Sequence, residues 1–147
     1  MQLRQLGDAK NLLDICFGEN AWSSDMLYSQ LEKPESRCTV AVDGDTLVGF
    51  LAFEQIADEG SVIEVAVHPD YRRQGIARAL IMSALDDADG LCVVFLEVRE
   101  SNRAAIALYE SLGFEKLGVR KDYYRDPKEN GIIYRLPLVK EAVGSAD

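Results

Sequence analysis

The sequence predicts an α+β fold built on a mixed sheet. Three observations carry that reading. Two stretches near the N-terminus repeat apolar residues at helical spacing. Two β-rich runs then flank Asp43-Gly44-Asp45, a hairpin turn signal. After a third such run, helical stretches alternate with further apolar runs through the C-terminal half. No internal repeat or low-complexity linker interrupts the chain. At 147 residues it is the size of one ordinary domain, so 1–147 is expected to form a single domain, with "KEAVGSAD" at 140–147 as a frayed tail.

The elements follow in order. Met1–Gln5 is a candidate first short strand. "DAKNLLDICFGENAW" sets Leu12, Leu13, Ile15, Cys16 and Phe17 at near-helical spacing, and Gly18 stops that helix. "WSSDMLYSQLEKPES" offers Ser23 or Ser24 as N-cap and ends at Pro34. "RCTVAVDGDTLVGFLAFEQI" is the hairpin. "SVIEVAVHP" is a third strand closed by Pro69. "QGIARALIMSALDDADG" is helical, with Ile76, Leu80, Ile81, Ala84 and Leu85 on one face and Gly90 at its close. "LCVVFLEVRE" has the apolar run of a buried strand. "SNRAAIALYESLGF" is a short helix capped by Ser101 or Asn102 and ended by Gly113. "EKLGVRKDYYR" and "IIYRLPL" make a final antiparallel pair around a "DPKENG" loop.

Composition narrows the function classes. Hydrophobic residues make up 48%, which fits a packed fold rather than disorder. No run reaches the roughly 18 apolar residues of a membrane span, and "MQLRQLGDAK" has no apolar core of a secretory signal. Three cysteines without a CxxC pair fit a reduced, cytoplasmic protein. A single His68 leaves little scope for a histidine-rich metal site, and no metal is expected. The net charge of -9 argues against direct nucleic-acid binding and favours a basic partner.

Against that acidity, "HPDYRRQGIARAL" gathers Arg72, Arg73 and Arg78 around one turn. A strand, a turn and a helix start make an anion site. The first helical N–H groups lack intrahelical acceptors, and the helix dipole is positive there. Gly75 lets backbone approach a ligand closely, Ala77 is small for the same reason, and the arginines add fixed charge. A pyrophosphate fits. A solvated basic turn is the plain alternative. A dinucleotide-binding or nucleotide P-loop fits less well, because no third glycine and no Gly-Lys-Ser/Thr is present.

Arg72-x-x-Gly75-x-Ala77 resembles the acyl-CoA pyrophosphate loop of the GNAT acetyltransferase superfamily, whose pattern is Gln/Arg-x-x-Gly-x-Gly/Ala. "VAVHPDYR" is similar to that family's fourth strand, and "SNRAAIALYESLGF" to its later Asn-to-Tyr helix ending in Gly-Phe. "LEVRESNRAAIALYESLGF", with Tyr123 and Tyr124, resembles the RimI branch, the ribosomal-protein-alanine N-acetyltransferases. The likeness is strong from Glu64 to Phe114 and looser at both ends, although "AWS" at Ala21–Ser23 is also RimI-like. It implies the GNAT-like acyl-CoA N-acyltransferase fold: a mixed, mostly antiparallel sheet with helices on both faces.

The resemblance implies acetyl transfer from acetyl-CoA, a co-substrate, to an amine. It places Arg72, Arg73, Gln74, Gly75, Ile76, Ala77 and Arg78 on the pyrophosphate. It also implies a bulge in "EVAV", where a backbone N–H near Val65, Ala66 and Val67 would face the thioester oxygen. The strands "SVIEVAV" and "VVFLEV" would part there to admit the pantetheine arm. Glu97 lies in an otherwise apolar strand, where a carboxylate is costly unless used or satisfied. Burial would raise its pKa and suit it to general-base work, and RimI resemblance places the base there. A rim Glu paired with an Arg is the bland alternative. Glu64, also on a strand, is the rival base. Tyr109 shares a stripe with Ile106 and Leu112, which reads as core, while the resemblance makes it the general acid. Asn102 would bond the pantetheine arm, or serve only as an N-cap. A ping-pong route is disfavoured, since no cysteine has an evident activating partner.

An α-amine, with a pKa of about 8 against about 10.4 for lysine, is the easier acceptor near neutrality. RimI resemblance implies the N-terminal alanine of a small-subunit ribosomal protein, whose basic N-terminal peptide an acidic surface attracts. Asp58, Glu59, Glu115 and Glu129 are candidates to line its approach, and Tyr123 and Tyr124 to cover it. The chain departs from the branch at Glu129-Asn130-Gly131, where Glu-Asp-Ala is common. Acetylation of a small-molecule amine or a lysine side chain, and a non-catalytic acyl-CoA-binding module, are the alternatives.

Overall fold

The computed structural model describes residues 1–138; the tail expected to fray, 140–147, lies outside the described residues. The elements run α1 (Leu6–Phe17), α2 (Ser24–Glu32), β1 (Ser36–Asp43), β2 (Thr46–Ile56), β3 (Glu59–Val67), α3 (Ile76–Asp87), β4 (Val93–Arg99), α4 (Arg103–Ser111), β5 (Glu115–Arg125) and β6 (Lys128–Pro137). The strands order as β1-β2-β3-β4-β6-β5 in one sheet. β3 and β4 run parallel, while β1–β2, β4–β6 and β5–β6 are antiparallel. The expected mixed, mostly antiparallel sheet is present.

The chain falls into two compact units. One holds Met1–Glu54 and Ile63–Asp89, the other Gln55–Val62 and the chain from Gly90 onward. In the first, Ser23 caps α2 by accepting the Met26 N–H at 3.1 Å, and Gly18 ends α1 at φ 56°. β2 is buried along seven consecutive residues, Leu47–Phe53, because helices cover both of its faces. Phe50 and Ala52 pack with Ala9, Leu12, Leu13 and Leu27 from α1 and α2. On the opposite face, a Cβ on Gly49 would come within 2.9 Å of Ile76 Cγ2 and 3.2 Å of Leu80 Cδ1, so this glycine sets how closely α3 seats.

In the second unit, Val94, Leu96 and Val98 of β4 are buried, as are Tyr109, Phe114, Ile132 and Tyr134. The Tyr134 hydroxyl donates to Glu110 at 2.8 Å.

Three expectations are corrected. Met1–Gln5 is not a strand: Leu3–Gln5 forms a 3₁₀ turn with reciprocal bonds between Gln2 and Gln5, and the terminal ammonium donates to the Cys38 carbonyl at 2.8 Å. α3 stops at Asp87 with Ala88 as C-cap, two residues before Gly90. The "DPKENG" loop contracts to Asp126–Pro127, because Arg125 pairs with Lys128 and Tyr124 with Glu129.

Candidate active site

The site residues of the first unit begin where β3 ends. Ala66 is buried there, with Val65 and Val67 half-buried on either side. The Val67 carbonyl accepts from Arg72 Nε at 3.1 Å and from Cys16 Sγ at 3.4 Å. Arg72 therefore ties the loop to the strand end through its Nε–H. The loop turns with Arg73 at φ 65° and Gly75 at φ 81°. These two left-handed residues turn the backbone sharply just before the helix begins. Arginine rarely adopts this conformation, and its presence here is a local strain that the sequence alone does not disclose. Gly75 is the N-cap of α3. No side chain caps the helix and no acidic residue stands in its first turn. Arg73, Gln74, Gly75 and Arg78 are exposed around it, with Ile76 and Ala77 half-buried. A helix start with no side-chain cap, framed by arginine, fits a pyrophosphate.

Glu64 lies on the same parity of β3 as buried Val62 and Ala66. Burial pushes its carboxyl up to about 7, although the Val65 N–H bonded to it pulls the other way. Desolvation also raises the thiol of Cys16, with Arg72 opposing, so that thiol is no ready nucleophile.

In the second unit, the parallel ladder of β3 and β4 runs from Glu59↔Val93 to Val62↔Leu96 and ends there. Glu97 is the next residue. Its neighbours Leu96 and Val98 are buried and Glu97 itself is exposed, so its side chain leaves the sheet on the opposite face from theirs. Its Oε2 lies 3.1 Å from Arg120 Nε, and its Oε1 accepts from the Tyr123 hydroxyl at 3.4 Å. The bland alternative for Glu97, an exposed carboxylate paired with an arginine, is thus what the free chain displays. Burial raises the carboxyl of Glu64.

Tyr109 is 5% exposed, and its ring packs edge-on against Phe114 at 5.8 Å. Asn102 caps α4, its Oδ1 accepting the Ala105 N–H at 3.2 Å. Of the acidic residues expected along the acceptor's approach, Asp58, Glu59 and Glu115 are exposed. Glu129 does not line an open approach. It accepts the Ser101 N–H at 2.5 Å and bridges Arg99 at 3.2 Å, and these partners hold its carboxyl below the usual range. The rings of Tyr123 and Tyr124 meet edge-on at 5.0 Å.

The acetyltransferase (GNAT) family matches residues 7–114. The chain belongs to that family. Within it, the chain is 44% identical over 96 residues to the ribosomal protein bS18-alanine N-acetyltransferase of Escherichia coli K12. That alignment covers 63% of this chain and 65% of the relative, just under two thirds of its length. The chain is 38% identical over 112 residues to the N-alpha-acetyltransferase RimI of Mycobacterium tuberculosis, covering 74% of this chain and 70% of that one. A crystal structure of the Escherichia coli ribosomal-protein-S18-alanine N-acetyltransferase is 31% identical and superposes with a TM-score of 0.88, covering 100% of this chain and 96% of the other.

Sequence reasoning misses two features of this GNAT chain. Arg120 does not stand out, because an arginine in an exposed strand carries no signal without knowledge of its partner. The shift in register between Arg120 and Tyr124 is also missed; its one trace in the sequence is Asp122, a residue type that tolerates the φ of 54° found there.

Proposed function

We propose that this chain transfers acetyl from acetyl-CoA to the N-terminal α-amino group of a protein, with the N-terminal alanine of a small-subunit ribosomal protein as acceptor. The observation that carries the reading is the whole-chain likeness to the Escherichia coli ribosomal-protein-S18-alanine N-acetyltransferase. The helix start at Gly75 supports it, since it has no side-chain cap and suits a pyrophosphate. A cytoplasmic location follows from such an acceptor; among the described residues no helix is long and apolar enough to cross a membrane.

Acetyl-CoA supplies an activated acyl group as a thioester. The residues of this chain do the rest. The 72–78 loop holds the pyrophosphate, with Arg73, Arg78 and the first N–H groups of α3 as donors. Glu97 takes a proton from the acceptor ammonium, which frees the nitrogen lone pair for attack. Tyr109 returns a proton to the departing sulfur. A second reading gives the base to Glu64, whose carboxyl, pushed up to about 7, is better matched to an α-amine near neutral pH.

Steady-state rates on an Ala-initiated basic peptide, on polyamines and on peptides with only lysine amines test the acceptor class. Preference for the Ala-initiated peptide is expected; equal or better rates on the others would assign the chain to the small-amine or lysine class. Profiles of kcat/KM from about pH 6 to 9.5 separate the two carboxylates. Glu97→Gln is expected to lose about 10²–10⁴-fold and to alter the acidic limb, while Glu64→Gln keeps that limb. The reverse pattern moves the base to Glu64.

A further inference from the structure

We propose that Arg120 competes with the acceptor ammonium for the Glu97 carboxylate and so weakens acceptor binding. The proposal rests on the reading that Glu97 receives the acceptor amine.

Residues 120 and 123 of a regular strand point to opposite faces. Here both reach Glu97: Arg120 Nε at 3.1 Å and the Tyr123 hydroxyl at 3.4 Å. The register shift between Arg120 and Tyr124 makes this possible. Asp122 carries the bulge at φ 54°, and Asn130 Oδ1 accepts the Asp122 N–H at 2.9 Å. Gly131 completes the arrangement, because a Cβ there would lie 3.0 Å from Tyr123 Cδ2 and 3.3 Å from Tyr124 Cε2. The bulge, its Asn130 tie and the space at Gly131 together aim β5 at one carboxylate.

The consequence is electrostatic. An acceptor ammonium arriving at Glu97 meets a guanidinium already there, and two cations on one carboxylate repel. While paired with Glu97, Arg120 also has its Cζ 5.4 Å from the Tyr123 ring centroid, a cation–π contact that it can keep when the carboxylate is taken. Arg99 does not take part in this exchange, being held by Glu129 and by the Asp126 and Pro127 carbonyls. Acetylation removes the acceptor's charge. The neutral amide no longer contests the carboxylate, and once Glu97 has passed to solvent the proton it took from the ammonium, the Arg120–Glu97 pair re-forms. Arg120 thus weakens binding of the charged acceptor and leaves binding of the neutral product unchanged, without touching the reacting atoms.

Arg120 and Glu97 side chains are 57% and 31% exposed, so the competition is modest, about 1.5- to 5-fold. The test is steady-state kinetics of wild type, Arg120→Gln and Arg120→Lys on an Ala-initiated basic peptide, with the N-acetylated peptide as product inhibitor. Arg120→Gln is expected to lower the acceptor KM by that factor, leaving the acetyl-CoA KM and the product inhibition constant as in wild type. Arg120→Lys restores the wild-type acceptor KM. An unchanged or raised acceptor KM in Arg120→Gln, or a matching change in product inhibition, overturns the proposal. Glu97→Gln assayed alongside separates the two failures. If Glu97→Gln retains wild-type rate, the reading of Glu97 is wrong; if it loses rate while Arg120→Gln leaves the acceptor KM alone, only the role of Arg120 is wrong.

Discussion

Glu64→Gln should flatten the pH dependence of this protein's stability. Burial raises the Glu64 carboxyl from 4.5 to about 7 in the folded chain. The native state then holds that proton more tightly than the unfolded state does. The stabilisation is complete below about pH 4.5 and is lost as pH rises through 7. At roughly 1.4 kcal/mol per pH unit, the loss amounts to about 3 kcal/mol. The other groups with displaced pKa values lie outside that window. The three cysteines, Tyr71 and Tyr134 are raised from 9 or 10, and Glu129 is lowered from 4.5. Urea unfolding of wild type and Glu64→Gln at intervals from about pH 4.5 to 8.5 measures the effect. The Gln variant should gain on wild type steadily across the window, by about 3 kcal/mol in all, and then run parallel to it. A constant offset at every pH would refute the claim that Glu64 is desolvated.

Gly75→Val sets a branched side chain at φ 81° on the helix start, and calorimetry should show loss of CoA binding in a chain that still folds; unchanged affinity would remove the phosphate-loop assignment. Tyr109→Phe keeps the packing on Phe114 and deletes only the hydroxyl, so kcat should fall while CoA affinity holds; equal kcat would reduce Tyr109 to a core residue. Gly49→Ala forces a Cβ to 2.9 Å from Ile76 Cγ2 and 3.1 Å from Ala41 Cβ, and denaturant unfolding should register a loss of about 1–3 kcal/mol.

Much of this architecture is legible in the sequence because local chemistry decides it. Ser23 caps α2 through its own hydroxyl, and Gly44 takes φ 60° in the turn between β1 and β2. What the sequence misleads on depends on partners distant along the chain. Met1–Gln5 has strand-like spacing, but the bond from Met1 to Cys38 and the Gln2–Gln5 exchange are invisible without the fold. The apolar run around Glu97 suggests burial. The alternation of Val94, Leu96 and Val98 against Glu97 and Arg99 is the better signal, since a period of two assigns those polar residues to the other face. The same rule works the other way for Glu64. Its parity with Val62 and Ala66 places it on the side of buried residues, and nothing in the sequence weighs that against the RimI likeness at Glu97. The arginine-rich turn stands out from composition alone, yet one of its arginines, Arg72, serves the strand end at Val67.

The central claim is transfer to a protein's N-terminal α-amine. The direct measurement is tandem mass spectrometry of a basic peptide that begins with alanine and also contains lysine, after incubation with acetyl-CoA and the purified chain. The account predicts one acetyl group, placed on the α-amino nitrogen of the alanine, with the lysines unmodified. Acetylation of lysine side chains with a free N-terminus would contradict it.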